Sequence, residues 1–225
     1  MSNPGSQHAA ILHSLALVHR ALRRSLDTII RVTAAAIPGT ERAGFSEFTE
    51  RFARFLHVHH DGEEEIIFPE LSAAAQRAAM PDLAAQVATW QADHVKLLGY
   101  LRDLETACAS FRTGGPQEPV AKAAAEVRTL LFPHLDAEEA TLNEAVLQKL
   151  LSGEQVESLS QAASKHGQQH GGGTVMMMYL HGLTNEEQTH FSTLPWFVRR
   201  VLMRRVWARG FRGCLKYAHN PSIAL

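Results

Sequence analysis

His59-His60-Asp61-Gly62-Glu63-Glu64-Glu65-Ile66-Ile67-Phe68-Pro69 sets a histidine and a glutamate four residues apart in a run whose apolar neighbours recur at helical spacing. At i and i+4 the two side chains leave a helix from one face and reach a common point. Phe52, with Phe55 or Leu56, marks that face before the pair, and Ile66 and Ile67 mark it after. His59 and Glu63 therefore interrupt an apolar stripe. A stripe of this kind faces a core, where an unpaired charge is strongly unfavourable.

The arrangement returns in three other segments. Leu131-Phe132-Pro133-His134-Leu135-Asp136-Ala137-Glu138-Glu139 repeats the His-x-x-x-Glu spacing within a stripe of Val127, Leu131, Leu142 and Val146. His19 falls in the gap of Leu12, Leu15, Leu22, Leu26 and Ile29, and His94 is bracketed by Val87, Trp90, Leu97 and Leu101. Breaks at Pro38-Gly39-Thr40, Met80-Pro81-Asp82, Gly114-Gly115-Pro116 and Ser152-Gly153 leave four helical segments, 8–36, 41–77, 82–112 and 117–150. Short connections between long helices make neighbours antiparallel. The expected fold is all-α: an up-down-up-down four-helix bundle over 8–150, followed by a C-terminal helical extension over 151–225. Each bundle helix then points a histidine at the axis.

One buried histidine is ordinarily a hydrogen-bonded core residue. Four in register with two carboxylates are not, because so many ionisable groups at one level need compensating charge. A pair of cations supplies it, since neutral imidazoles and carboxylates are good donors to divalent metals. Glu64 and Glu65 read as solvated neighbours. His8, His13, His57, His166, His170, His181, His190 and His219 have no matching partner pattern and read as surface or structural.

The wider chain sets limits on function. Its 225 residues are 45% apolar and 20% charged, which excludes a wholly disordered chain. Cys108 and Cys214 are too few and too far apart for a disulfide scaffold or a cysteine zinc module. Histidines number 13. The net charge of -1 conceals an acidic body and a basic tail, in which Arg199, Arg200, Arg204, Arg205, Arg209, Arg212 and Lys216 occur without an acid after position 194. A dedicated nucleic-acid binder would be basic overall, so no nucleic-acid partner is expected. The amino-terminal stretch has no basic region ahead of its apolar residues, and no run of ~18 apolar residues occurs. A cytoplasmic setting is the expectation.

In the extension, a short helix over 153–169 precedes a break at Gly171-Gly172-Gly173 and a Met-rich stretch whose Met176, Met177 and Met178 read as core. Thr184 and Glu187 have capping-box spacing, and Pro195 starts a last helix reaching about Arg209. The basic tail is expected to fold back on the acidic bundle; contact with an anionic membrane surface is the less favoured alternative. Pro69 and Pro133 are expected to bend or interrupt their helices.

Taken in order, these segments resemble the hemerythrin-like (HHE cation-binding) domain. His59 through Pro69 is similar to its second-helix motif and Leu131 through Glu139 to its fourth. Val18-His19-Arg20-Ala21-Leu22-Arg23 and Asp93-His94-Val95-Lys96-Leu97 match its single-histidine motifs on helices one and three. The resemblance implies a non-haem centre of two iron ions held by His19, His59, Glu63, His94, His134 and Glu138. The chain departs from the family at the second third-helix histidine, where the two candidate positions are Trp90 and Leu98. His60, Glu64 or water is left to complete the set. A histidine-rich centre of this kind implies binding or sensing of dioxygen, nitric oxide or redox state. The alternatives are a di-iron peroxidase-like, oxidase-like or nitric-oxide-detoxifying enzyme, and an iron-storage or iron-responsive interaction module.

Overall fold

A computed structural model describes residues 7–189 and 196–222. Helix α1 spans Gln7–Thr33 and α2 spans Arg42–Gly62. A π turn over Glu63–Ile67 joins α2 to α3, Phe68–Arg77. Then follow α4, Pro81–Arg112, α5, Glu118–Thr141, α6, Glu144–Leu150, and α7, Gly153–His181. No strand occurs among the described residues. Helices α1, α2 with α3, α4 and α5 form the four-helix bundle, in which α4 packs on both α2 and α5, and α5 on α1. The remaining seam, between α1 and α2, is filled by α7.

Two differences from the sequence reading have local causes. The π turn is closed by the Phe68 amide donating to the Glu63 carbonyl, five residues back. The extra residue advances the helical register, so Phe68 and Leu71 are buried and Ile66 and Ile67 only partly so. It also delivers Pro69, which has no N–H to donate, to the first turn of α3, where a missing donor costs nothing. In contrast, α5 runs through Pro133 uninterrupted. The segment read as one helix over 117–150 breaks instead at Leu142, and Asn143 caps α6 by accepting from the Val146 amide.

Helix α7 starts on a Ser152–Gln155 capping box, and the break expected at the glycine run falls within it, where non-helical backbone at Gly172 separates two helical stretches. The kink is at Gly172, whose φ of 51° is open to glycine at little steric cost. Met177 and Met178 are buried, as their core reading requires. Thr184 and Glu187 form the expected capping box opening α8, Asn185–Gln188. A π-helical segment, Val198–Trp207, leads into Ala208–Gly210. Pro195 and His190 lie outside the described residues. Phe211, Cys214 and Tyr217 pack into the core, and a Cβ on Gly44 would meet the Gly213 carbonyl oxygen at 2.3 Å, so the tail lies backbone to backbone on the start of α2. Lys216 pairs with Glu41 at 3.0 Å, whereas Trp196, Phe197 and Val206 stay exposed. No helix among the described residues is long and apolar enough to cross a membrane.

Glu187 ties α8 to α1, accepting from Arg20 at 2.9 Å and from Arg24. Burial by itself would raise its pKa, but Arg24, the Thr184 amide and Arg20 outweigh that and hold the carboxyl at about 2. Its folded-state pKa lies below the ordinary value, so its contribution is complete above about pH 4.5 and fades as pH falls toward 2. Protection factors of the α8 amides, with the pH-dependent intrinsic exchange rate divided out, are expected to fall across that window. In Glu187→Gln protection is expected to be low already at pH 7 and to change little on acidification.

The interior is two apolar clusters with a polar layer between them. Leu22, Leu26, Phe52, Leu101 and Leu131 belong to one, and Phe68, Leu71, Val87, Trp90 and Leu147 to the other.

Candidate metal centre

The polar layer consists of His19, His59, His60, Glu63, His94, His134 and Glu138. Each arrives from a bundle helix whose apolar stripe is buried above and below it. His19 comes from α1, His59 and His60 from the last turn of α2, Glu63 from the π turn, His94 from α4, and His134 and Glu138 from α5. All are buried apart from His59, whose side chain is 9% exposed. All seven positions picked out by the sequence reading are thus brought together.

Within the layer the donors fall into two sets joined by carboxylates. His60, Glu63, His94 and His134 each place one donor atom within 4.8 Å of the others, and His19, His59 and Glu63 do the same. Glu63 belongs to both sets, with Oε1 3.4 Å from His59 Nε2 and Oε2 3.6 Å from His94 Nε2. Glu138 repeats the bridge, with Oε2 3.5 Å from His19 Nε2 and Oε1 3.3 Å from His134 Nε2. Each carboxylate thus turns one oxygen to each set.

Several of these atoms have no hydrogen-bond partner: His19 Nε2, His59 Nε2, His60 Nε2, Glu63 Oε2 and both oxygens of Glu138. A buried polar atom left unpaired costs about 1–3 kcal/mol. Donors bonded to one cation at about 2.0–2.2 Å lie roughly 3 Å or slightly more apart, which the observed separations approach. The donor set, its orphaned atoms and its spacing fit metal ions. Burial and the neighbouring histidines hold His59 and His60 well below the ordinary histidine range, so both present neutral lone pairs. Burial, then Glu138 and Glu64, pushes Glu63 well above the ordinary carboxylate range. Both shifts describe a site lacking positive charge.

Carboxylates behind the rings orient them. His94 Nδ1 donates to Glu64 Oε1 at 2.8 Å, and Gln91 holds the other Glu64 oxygen at 2.8 Å. His19 Nδ1 donates to Glu139 Oε1 at 2.9 Å, and Arg23 donates to the same oxygen at 2.7 Å. The His19 bond is the chief reason that Glu139 sits at about 2 despite partial burial. With the proton fixed on Nδ1, each Nε2 turns its lone pair inward. Asp93 approaches His134 Nδ1 only to 3.9 Å, too far for a direct hydrogen bond. Glu64 therefore positions the His94 ring and is not a free solvated acid, and Glu139 positions His19 in the same way. The signal for both was the doubled acid, Glu63-Glu64 and Glu138-Glu139.

His60 joins Glu63, His94 and His134 in one donor set. Its ring stacks on His94 with centroids 4.0 Å apart. Trp90 packs on Phe68, and Leu98 lies at the surface. Loss of an orienting carboxylate typically lowers metal affinity about 10–100-fold. Glu64→Ala is expected to show a loss of that size by competition with a chromogenic chelator, with its helical circular dichroism unchanged.

A cavity of about 420 Å³ adjoins the donor layer at His59 and Glu63. His59 and Glu63 line it, as do Leu12 and Leu15 of α1, Phe68 of α3 and Leu159 of α7. His19, His60, His94 and His134 do not. His166, on α7, lines it too; the sequence held no signal for that, because α7 reaches the site only through tertiary packing.

Comparison with curated proteins and with solved structures returns no match. The family model for the hemerythrin HHE cation-binding domain matches residues 10–146, the segment that carries every donor of the polar layer. Members of that family bind metal cations, and the histidine–glutamate cluster fits such a site. On the strength of this match and of four bundle helices converging on one donor layer, the chain belongs to the hemerythrin HHE cation-binding domain family.

Proposed function

We propose that the chain is a non-haem di-iron protein that binds or senses a small diatomic molecule, dioxygen or nitric oxide, or the redox state of its surroundings. The observation that carries this is the asymmetry of the donor layer. His60, His94 and His134 gather on one side, His19 and His59 on the other, and Glu63 and Glu138 span the two. The cavity borders the layer through His59, of the side with fewer imidazoles, and through the shared Glu63. In this reading His19 and His59 would hold one iron and His60, His94 and His134 the second, with Glu63 and Glu138 available to both. A bound iron pair supplies redox-active positions for a diatomic ligand.

The protein's own part is selection and shielding. Five imidazoles against two carboxylates make a nitrogen-rich set, which favours reversible binding over oxygen activation. Apolar walls above and below exclude water, and Glu64 and Glu139 keep ring protons away from the donor atoms. A second reading, an oxidase-like or peroxidase-like enzyme, is favoured by the size of the cavity. Stopped-flow mixing of the reduced, iron-loaded protein with dioxygen separates the two. Binding predicts an absorption change that reverses when oxygen is removed. Continued oxygen consumption with an electron donor would replace that reading with the enzymatic one.

A further inference from the structure

The cavity is far larger than a diatomic requires. A molecule of that size needs about the volume of one water, about 30 Å³ in the liquid, and the cavity holds about 420 Å³. Its volume lies within the roughly 300–1,000 Å³ of sites for organic ligands. Its walls are mainly aliphatic and aromatic: Leu12 and Leu15 from α1, Phe68 and Leu71 from α3, Leu159 and Met176 from α7. Surfaces of this kind gain dispersion contacts from an apolar occupant that water does not provide.

Besides the donor-layer atoms of His59 and Glu63, one more polar atom in the described wall lacks a partner. His166 is 6% exposed, lines the cavity, and its Nε2 has no hydrogen-bond partner. Its Nδ1 lies 3.6 Å from the Glu65 carboxylate, and its ring stacks on His170 with centroids 4.4 Å apart. At 3.6 Å the Glu65 carboxylate is too far for a direct hydrogen bond, but its charge favours the ring proton on the near nitrogen, Nδ1, which leaves Nε2 as the acceptor. The Glu65 carboxylate beside the ring disfavours an anionic head at this place. We propose that the cavity binds an elongated apolar molecule ended by a hydroxyl, an aliphatic alcohol in chemical class, with the hydroxyl donating to His166 Nε2 and the chain lying between α1 and α7. The occupant is then held beside His59 and Glu63. This binding does not depend on the identity of the cations.

The test uses the full-length protein, with metal content measured in every sample. The fluorescence of N-phenyl-1-naphthylamine reports binding, and 1-decanol, decane and decanoate compete with it. Saturable uptake of one probe per chain is expected, with 1-decanol displacing it at the lowest concentration. Ala163→Trp, which fills the cavity from α7, is expected to abolish uptake with the metal retained; Leu12→Trp fills it from α1 should the first variant fold poorly. His166→Leu is expected to weaken 1-decanol about tenfold, the worth of one hydrogen bond, and to leave decane unchanged. Absence of saturable uptake, or unchanged uptake in a folded filling variant, would overturn the site. Equal competition by decane and 1-decanol, unaffected by His166→Leu, would overturn the assignment of the hydroxyl.

Discussion

Glu63→Ala is expected to lose cation from both halves of the centre. The reason is geometric. Glu63 is the residue shared by the two donor sets, with one oxygen facing His59 and the other facing His94. A histidine replacement acts on one half: His59→Ala is expected to weaken the side it shares with His19 and to spare the other. Orienting carboxylates are worth about 10–100-fold in affinity, and a bridging donor is expected to exceed that, with a drop of more than about 100-fold at each position. Metal analysis after gel filtration reads the difference. His166→Ala, which removes a buried imidazole outside the donor layer, is expected to retain metal. Equal losses in all three variants would indicate general destabilisation and would count against Glu63 as a bridge.

Removal of the metal is expected to produce the largest change in stability. Cations that bind the folded chain and not the unfolded one stabilise it by about 4 kcal/mol when free cation is 1,000 times the dissociation constant. For a domain of 150–250 residues each kcal/mol moves Tm by about 2–4 °C, so chelation is expected to lower it by about 8–16 °C. The metal-free protein also acquires a pH dependence made of two opposed contributions. His59 and His60 have folded-state pKa values below the ordinary 6.5. The unfolded chain therefore takes up their protons first, and stability falls as pH drops below about 6.5. Glu63 is shifted upward, so its contribution is present below 4.5 and is lost as pH rises from there. Thermal melts followed by circular dichroism, with and without chelator from pH 8 to pH 5, check both statements. A melting temperature indifferent to chelation would show that the buried donors are satisfied without cations.

The bundle was legible because its signal is local. Leu22, Leu26, Phe52, Leu101 and Leu131 recur at helical spacing and are all buried. The donors were legible for the same reason, since a histidine in the gap of such a stripe has nowhere to point except inward. Where backbone geometry departs from the regular α-helix, periodicity misleads. Ile66 and Ile67 were placed in the core because the count continued past Glu63, whereas the π turn hands those positions to Phe68 and Leu71. Glu64 and Glu139 were obscured by composition: acids in a run resemble a solvated face, and their partners, His94 and His19, lie on other helices. The packing of α7 into the seam between α1 and α2, and with it the cavity, rests on contacts remote in sequence that no local pattern encodes.

The central claim is that these seven side chains hold two cations within one apolar interior. Crystals of the iron-loaded protein, with anomalous diffraction recorded on either side of the iron absorption edge, test it most directly. The account predicts two iron peaks in each chain, one within bonding distance of His19 and His59, the other within bonding distance of His60, His94 and His134, with Glu63 and Glu138 reaching both. A single peak, or peaks only at the protein surface while the imidazoles hydrogen-bond to one another, would contradict it.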